Sequence, residues 1–227
     1  MKRLIEITAD SSATIYIPEL NEHYHSVKGA DTESRHVYIN TGWQHIADKH
    51  SRRPIVVAEA GMGTGLNVVL TAMEAAKRNI PTIYHALELY PLEPETLNSW
   101  LATVDPSLID IGTLHAVHKA QWETQVTVNP TFTLIKNRTD MTRPGAFGPE
   151  QSVDVIYYDA FAPDVQPELW TPAQIERVAM ALRQGGVLVT YCAKGSVRRA
   201  MQAAGLTVER LPGPPAGKRE ILRASKP

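Results

Sequence analysis

Three glycines at alternate positions, Gly61, Gly63 and Gly65, separate a strand-like segment from a helix-like one. The apolar run Pro54-Ile55-Val56-Val57-Ala58 before them is typical of a buried strand, and residues 66–77 follow as a helix. Glycine permits a tight turn and lets a ligand approach the backbone closely, and a helix start offers free N–H groups. The pattern indicates an α/β sheet that binds a nucleotide-type cofactor, although the loop alone does not say which one.

Strand-like and helix-like segments alternate along the rest of the chain. Strands are predicted at 54–59, 82–88, 131–136, 153–159 and 186–192, and helices at 66–78, 94–103, 172–183 and 196–204. Two last strands, 206–211 and 219–223, flank a Pro/Gly-rich stretch, which indicates a parallel sheet that finishes in an antiparallel hairpin. Residues 105–130 have no clear period, so no element is predicted there.

Local signals set the ends of the third predicted helix. Thr171 is expected to cap its start, with Pro172 at the first helical position. The pair Gly185-Gly186 is expected to close it, because glycine is favoured just after a helix.

The N-terminal residues precede this alternation and form a small unit of their own. Residues 4–8 and 13–17 alternate like two strands joined by a turn, which predicts a β-hairpin. Residues 21–35 are polar and lead into a short element at 36–45. We therefore predict an N-terminal extension over residues 1–50 and a main domain over residues 51–227.

Composition excludes several classes of protein. A single cysteine, Cys192, rules out an intramolecular disulfide framework and a cysteine-built metal site. The eight histidines lack metal-ligand spacing, so no metal is expected. No G-x-S-x-G elbow suggests a serine hydrolase. No segment has the length of a membrane span or of a signal peptide, so no membrane partner and a cytoplasmic location are expected.

Acidic residues stand at the ends of the predicted strands, where ligands of an open α/β sheet bind. They are Glu59, Glu88, Asp140 and Asp159. Glu88 follows the glycine loop by about twenty residues, a position from which a carboxylate binds both ribose hydroxyls of an adenosine. NAD and S-adenosylmethionine both carry that ribose. The glycine spacing lacks the dinucleotide fingerprint, and the acidic strand ends suit the two positive groups of S-adenosylmethionine better than a pyrophosphate.

Two further features suggest a second ligand. The run Asp159-Ala160-Phe161-Ala162-Pro163 places a carboxylate and an aromatic ring at the end of a buried strand, where Phe161 can pack against a flat ring. The stretch from Cys192 to Pro227 has eight Lys or Arg and two Glu, a balance of +6. Its basic residues, which can bind nucleic-acid phosphates, include Lys194, Arg198, Arg199, Lys218 and Arg219.

These motifs together resemble the tRNA 5-methylaminomethyl-2-thiouridine methyltransferase family, the methyltransferase part of the bifunctional bacterial enzyme MnmC. The likeness spans nearly the whole chain. It is carried by residues 24–26 and 33–38, the glycine loop 59–67, residues 159–163 and 167–171, residues 185–191 and 197–199, and residues 217–222.

The resemblance implies a Rossmann-like class I methyltransferase with a mostly parallel seven-stranded sheet and S-adenosyl-L-methionine as its cofactor. The substrate would be the wobble uridine, position 34, in the anticodon stem-loop of tRNA, methylated on the exocyclic amine of 5-aminomethyl-(2-thio)uridine. Bifunctional relatives carry a second, FAD-dependent domain. The chain ends at Pro227, so a stand-alone methyltransferase without that activity is expected, functionally coupled to a separate enzyme that makes the aminomethyl or carboxymethylaminomethyl uridine.

The resemblance also implies roles for individual residues. Asp159 would orient the acceptor amine and accept its proton, Tyr24 and His25 would close the pocket, and Phe161 or Trp170 would stack on the base. The basic residues given above would hold the tRNA backbone. The cofactor would be bound by Glu59, Gly61, Gly63, Thr64, Gly65, Asn67, Glu88, Asp140 and Asp159.

Two other functions stay open at this point. Acidic strand ends suit a methyl- or aminopropyl-transferase that acts on a small amine, although the basic C-terminal quarter disfavours it. A non-catalytic adenosine-binding module needs no second polar site, and the Asp159–Pro163 run disfavours that function.

Overall fold

The computed structural model describes residues 1–49 and 53–227. Its strands are β1 (Leu4–Ile7), β2 (Ala13–Ile17), β3 (Glu22–His23), β4 (Ile55–Ala60), β5 (Thr82–Leu87), β6 (Gln125–Asn129), β7 (Phe132–Asn137), β8 (Val153–Tyr158), β9 (Leu182–Thr190), β10 (Thr207–Pro212) and β11 (Glu220–Ser225). Its helices are α1 (Ala30–Ser34), α2 (His45–Ala47), α3 (Leu66–Arg78), α4 (Pro94–Leu101), α5 (Ile111–Lys119), α6 (Pro172–Ala181) and α7 (Gly195–Ala203). A π-helical stretch, Arg35–Gln44, joins α1 to α2, and a 3₁₀ turn spans Pro167–Trp170.

The main sheet has eight strands in the order β10-β11-β9-β8-β4-β5-β7-β6. The five central strands run parallel, β11 and β10 form an antiparallel hairpin at one edge, and β6 pairs antiparallel with β7 at the other. The predicted α/β fold with a terminal hairpin is therefore confirmed. The expected count of seven strands is wrong, because β6 adds an eighth strand at the edge next to β7. Strand β6 and helix α5 lie in the stretch for which the sequence predicted no element.

The N-terminal residues form a second, three-stranded sheet and a helical segment that crosses the main sheet. The predicted hairpin is present as β1 and β2, and β3 extends it. Trp43 is fully buried, and its indole N–H donates to the Thr82 hydroxyl at 3.1 Å. A Cβ atom at Gly42 would lie 3.0 Å from Tyr157 Cε1 and 3.0 Å from Val189 Cγ2. The helical segment thus approaches the sheet as closely as a glycine permits.

The predicted boundary between residues 50 and 51 falls outside the described residues and stays a prediction.

The pair Gly185-Gly186 does not close a helix, and that prediction is wrong. Helix α6 ends at Ala181, and both glycines lie inside β9. The register between β8 and β9 shifts between Val153 and Val155. Gly185 has a φ of 74°, and a Cβ atom at Gly186 would lie 2.9 Å from the Arg183 carbonyl oxygen. The glycines therefore serve an irregularity of the strand. The predicted Thr171 cap is confirmed, because its hydroxyl accepts from the Gln174 N–H at 3.2 Å.

We predict that Gly42→Ala lowers the free energy of unfolding by about 1–3 kcal/mol, because the new methyl group overpacks the contact with the sheet. That loss exceeds the gain of up to about 1 kcal/mol that alanine brings to a helix. Urea unfolding of the purified protein measures the change. Asn40→Ala, at an exposed position of the same π-helical stretch, is the matched control and should stay within about 0.5 kcal/mol. A Gly42→Ala protein as stable as the wild type contradicts the prediction.

Candidate active site

A cavity of about 480 Å³ lies at the carboxyl ends of the central strands, between the main sheet and the N-terminal sheet. Its floor comes from the loops after β4, β5, β8 and β9, and its roof comes from residues of β3 and the loop that follows. The lining includes eight residues predicted for the site, namely Tyr24, His25, Gly61, Gly63, Glu88, Asp159, Phe161 and Lys218. The parallel sheet thus brings together residues that are far apart in sequence.

The glycine loop between β4 and α3 has a backbone that only glycine adopts freely. Gly61, Gly63 and Gly65 have φ values of 85°, 51° and 75°. A Cβ atom at Gly61 would lie 3.0 Å from the Asp159 carbonyl oxygen, and one at Gly63 would lie 3.1 Å from Tyr24 Cδ2. The loop is therefore packed between the end of β8 and the Tyr24 ring.

A hydrogen-bonded chain of side chains runs beneath the cavity. The Tyr38 hydroxyl donates to Asp159 Oδ1 at 2.5 Å. The Asn67 amide nitrogen donates to Asp159 Oδ2 at 2.9 Å and to Glu59 Oε1 at 2.9 Å. Glu59 is fully buried, so it supports the cavity wall from below. Thr64 and Gly65 are buried as well and do not line the cavity.

Asp159 and Glu59, the two carboxyl groups in this series of hydrogen bonds, both have raised pKa values. Burial raises the pKa of Asp159 to about 7; the Tyr38 hydrogen bond opposes the shift and the charge of Glu33 adds to it. Burial also raises the pKa of Glu59 well above its usual range, and the charge of Asp159 contributes to that shift. Asp159 is therefore placed to exchange a proton near neutral pH.

Glu88 lies on the cavity wall at the end of β5, as expected for a ribose-binding carboxylate. Its Oε2 accepts from the Gly63 N–H at 3.1 Å, and its Oε1 accepts from the Tyr90 N–H at 2.9 Å. Each carboxylate oxygen has a second lone pair for a ligand hydroxyl. Glu88 thus ties the glycine loop to the next strand and presents acceptors to the cavity.

Aromatic residues cover the cavity. Tyr24 and Phe161 meet edge to face with ring centroids 5.5 Å apart. His25 beside them is neutral at pH 7, because burial lowers its pKa to about 4. Trp170 is 6% exposed, and its indole N–H donates to the Phe161 carbonyl oxygen at 2.8 Å. The predicted stacking of Trp170 on a substrate base therefore needs correction: the indole is in the core and supports the backbone of Phe161.

The predicted basic residues are dispersed. Lys194 pairs with Asp164 at 2.5 Å, Arg198 is half-buried, and Arg199 and Arg219 are exposed. Only Lys218 among these five lines the cavity, with its ammonium 3.5 Å from the centroid of the Tyr191 ring.

Asp140 also lies away from the predicted contact. Its carboxylate accepts from the backbone N–H and the hydroxyl of Thr142, at 2.8 and 2.7 Å. Its neighbour Met141, and not Asp140, lines the cavity. The predicted cofactor contact of Asp140 is therefore not supported by the geometry of the cavity.

Several lining or supporting residues were missed by the sequence reasoning. Tyr38 and Glu33 lie within the motif 33–38, but no pattern in the sequence marks them as site residues. Glu33 accepts from the Ser26 N–H at 2.8 Å, which fixes the turn over the cavity. Arg3 lies outside every motif, and Tyr191 ends the motif 185–191 without a pattern that marks it as a lining residue.

A family model described as S-adenosyl-L-methionine-dependent methyltransferase matches residues 114–227. Two curated relatives are named tRNA 5-methylaminomethyl-2-thiouridine biosynthesis bifunctional protein MnmC. The protein from Magnetococcus marinus is 30% identical over 230 residues, covering 94% of this chain and 32% of the relative. The protein from Ralstonia nicotianae is 27% identical over 214 residues, covering 88% of this chain and 31% of the relative. The chain therefore spans about a third of the length of these relatives, and the resemblance seen in the sequence is confirmed.

Solved structures share the fold. The crystal structure of MNMC2 from Aquifex aeolicus matches with a TM-score of 0.81 at 23% identity, covering 100% of this chain and 72% of that chain. A spermidine synthase from Thermotoga maritima matches with a TM-score of 0.59 at 14% identity, covering 99% of this chain and 69% of that chain. At these identities the superpositions show the fold alone.

The family identifies S-adenosyl-L-methionine as the cofactor, and the residues present fit it. The cavity wall offers a side-chain-free glycine loop, the Glu88 carboxylate predicted to bind the ribose, and further carboxylates whose charge would suit the positive groups of the cofactor. Residues 1–49 and 53–227 contain no group of three or more His, Cys, Asp or Glu side chains arranged to hold a metal ion. Within the same residues no helix is both long and apolar enough to cross a membrane.

We predict that Glu88→Ala weakens binding of S-adenosyl-L-methionine about 10- to 100-fold, the range that loss of charge-assisted hydrogen bonds gives. Isothermal titration calorimetry measures the dissociation constant. Glu95→Ala, at an exposed position of α4, is the control and should bind as the wild type does. Equal affinity of the Glu88→Ala and wild-type proteins would remove Glu88 from the cofactor site.

A second prediction concerns stability against pH. Because the folded-state pKa of Asp159 is raised, from 3.8 to about 7, ionisation of this group opposes folding. The contribution of this carboxyl group to the free energy of unfolding is fully present below pH 3.8, and it is lost as the pH rises to about 7. Relative to the wild type, Asp159→Asn should therefore gain stability between pH 4 and pH 8, by up to about 4 kcal/mol. Urea unfolding across this range measures the difference, and a difference that is constant with pH contradicts the raised pKa.

Proposed function

The chain belongs to the S-adenosyl-L-methionine-dependent methyltransferase family, and we propose that it methylates the exocyclic amine of 5-aminomethyl-(2-thio)uridine at the wobble position of tRNA. The observation that carries this proposal is the pairing of Asp159 with Phe161 on one cavity wall. A carboxylate beside an aromatic ring suits a flat base that bears an amine. The names of the MnmC relatives support the same substrate class, and the proposal extends that class to this chain.

The bound cofactor supplies a methyl group on a sulfonium: the N–C bond forms as the C–S bond breaks, the C–S electron pair stays on sulfur, and the nitrogen loses one proton. Asp159 receives or relays that proton, directly or through water. Tyr38 and Asn67 fix the orientation of its carboxylate through one hydrogen bond to each oxygen. Positioning of donor and acceptor is the main contribution of the protein to such a transfer, up to about 7–11 kcal/mol in favourable cases.

The cavity suits a single nucleotide that has left its stack. An enzyme that acts on a base in a loop must take the base out of the stack and into a pocket. Tyr24 and Phe161 provide ring faces and edges at the mouth, and exposed Arg199 and Arg219 provide charge for the backbone on the surface. The anticodon stem-loop is therefore the partner that we propose.

A methyl- or aminopropyl-transferase that acts on a small amine is the second candidate. The cavity carries four carboxylates, Glu22, Glu33, Glu88 and Asp159, which also suit a polyamine. This candidate predicts transfer to a free polyamine and none to tRNA.

Radiolabelled S-adenosyl-L-methionine separates these candidates. We expect label in hypomodified tRNA that carries 5-aminomethyluridine, with and without the 2-thio group, and none in putrescine or spermidine. Asp159→Asn should lower kcat, measured at saturating S-adenosyl-L-methionine, about 10²- to 10⁴-fold. Glu176→Gln, exposed on α6, is the control and should keep full activity.

Label in the polyamine alone supports the second candidate. No label in either acceptor, with cofactor bound, supports a non-catalytic adenosine-binding module. Near-wild-type kcat of the Asp159→Asn protein would exclude the proposed role of Asp159.

A further inference from the structure

Lys218 lines the cavity, where a lysine that only binds tRNA phosphates would not be needed. It comes from the loop between β10 and β11, yet its ammonium lies 3.5 Å from the centroid of the Tyr191 ring and lines the cavity with Asp159. The Tyr191 hydroxyl in turn donates to the Ala160 carbonyl oxygen at 2.9 Å. Lys218 therefore packs against Tyr191, which is hydrogen-bonded to Ala160, the residue that follows Asp159.

The backbone around Lys218 is held in place. A Cβ atom at Gly213 would lie 1.6 Å from the Lys218 carbonyl oxygen, so only glycine allows this approach. The Gly213 N–H donates to the Arg219 carbonyl oxygen at 3.0 Å. The two ends of the loop therefore close on each other. The Lys218 side chain is exposed on the whole, and its ammonium lies over the Tyr191 ring at the edge of the cavity.

The charges around this ammonium are mostly negative. The acids that line the cavity are Glu22 of β3, Glu33 of α1, Glu88 after β5 and Asp159 after β8. The titratable neighbours without a carboxylate are the side chains of Tyr191 and Cys192 after β9, together with Tyr24, Tyr90, His23 and His25. Among the described lining residues, the cationic side chains apart from histidine are those of Arg3 and Lys218, and Met1 carries the N-terminal amino group. Arg3 donates to the Tyr90 carbonyl oxygen at 3.2 Å.

This balance creates a conflict for an amine substrate. Carboxylates attract and orient an amine, yet they also favour its ammonium form, which has no lone pair to attack a methyl group. A fixed positive charge nearby favours the neutral form instead, as a second cation does for reactive lysines in other active sites. Lys218 is placed to supply that charge on the same wall as Asp159.

We propose, on the basis of the proposed function, that Lys218 keeps the acceptor amine neutral and nucleophilic while the acids of the cavity hold it in place. Lys218 thereby acts on the protonation of the substrate and does not serve as a phosphate ligand. The amine forms its N–C bond from the free lone pair and gives up one proton afterwards, so no oxidant or further reactant is needed.

The test compares Lys218→Gln, which removes the charge, with Lys218→Arg, which keeps it. In Lys218→Gln, the ascending limb of the kcat pH profile for hypomodified tRNA should move to higher pH by about one unit. At pH values below the pKa of the amine, kcat should therefore fall approximately tenfold. The loss should disappear at high pH. Lys218→Arg should keep the wild-type limb. Lys77→Gln, an exposed lysine of α3, is the control and should change neither the limb nor the rate.

A second readout does not depend on turnover. An anticodon stem-loop labelled with ¹³C at the aminomethyl carbon is titrated by NMR in the complex with S-adenosylhomocysteine, which lacks the sulfonium charge. The pKa of the bound amine should be higher by about one unit in Lys218→Gln than in the wild type. Calorimetry with S-adenosyl-L-methionine checks that each variant is folded and binds the cofactor.

A raised KM for tRNA in Lys218→Gln, with both the pH profile and the amine titration unchanged, overturns the proposal in favour of a phosphate or base contact. Absence of methyl transfer to tRNA by the wild type overturns the proposed function, and the proposal with it. The two failures are distinguishable, because the first leaves wild-type methylation of tRNA intact.

Discussion

The Asn67 amide nitrogen donates to two carboxylates that approach each other from different strands, Glu59 at the end of β4 and Asp159 after β8. Two carboxylates in a buried position repel unless one is protonated or a donor lies between them. Asn67 provides that donor from the first turn of α3, directly after the glycine loop. The loop conformation, the start of the helix and the orientation of Asp159 therefore depend on one side chain, and Tyr38 completes the arrangement from the opposite side.

The same arrangement explains why the N-terminal residues pack so closely on the sheet. The Tyr38 hydroxyl can reach Asp159 only if the π-helical stretch lies directly on β8 and β9, and the glycine at position 42 allows that approach. Burial of Trp43 and its hydrogen bond to Thr82 fix the other end of the contact. A segment without strong local structure is thus held by long-range packing, and packing of this kind stabilises helices more than local propensity does.

The parts of the fold and the site that depend on local sequence patterns were predictable, and those that depend on contacts between distant residues were not. Gly61, Gly63, Glu88 and Asp159 line the cavity as the sequence pattern indicated, because parallel strands bring their carboxyl ends to one edge of the sheet, whereas Asp140 does not line the cavity. Strand β6 escaped prediction, since its short alternating pattern follows a stretch without clear period. Trp170 was given a role at the surface of the site, whereas the indole bond to the Phe161 carbonyl, which only the folded loop forms, takes the ring into the core. The contact of Lys218 with the Tyr191 ring joins the last hairpin to the end of β9, and no local pattern encodes it.

The contact between Tyr38 and Asp159 joins residues 121 positions apart in sequence. Tyr24 from the start of the chain covers a loop at residue 63, and Lys218 reaches the same cavity from the last hairpin. During synthesis the chain emerges from its N-terminus, so the roof residues are made long before the wall that they cover. Because contacts of such separation form late in folding, the cavity is completed only when the last hairpin has joined the sheet. A nascent chain that has not yet reached β11 lacks one wall of the cavity. The protein can therefore make all of its contacts to a ligand only after the last hairpin has folded.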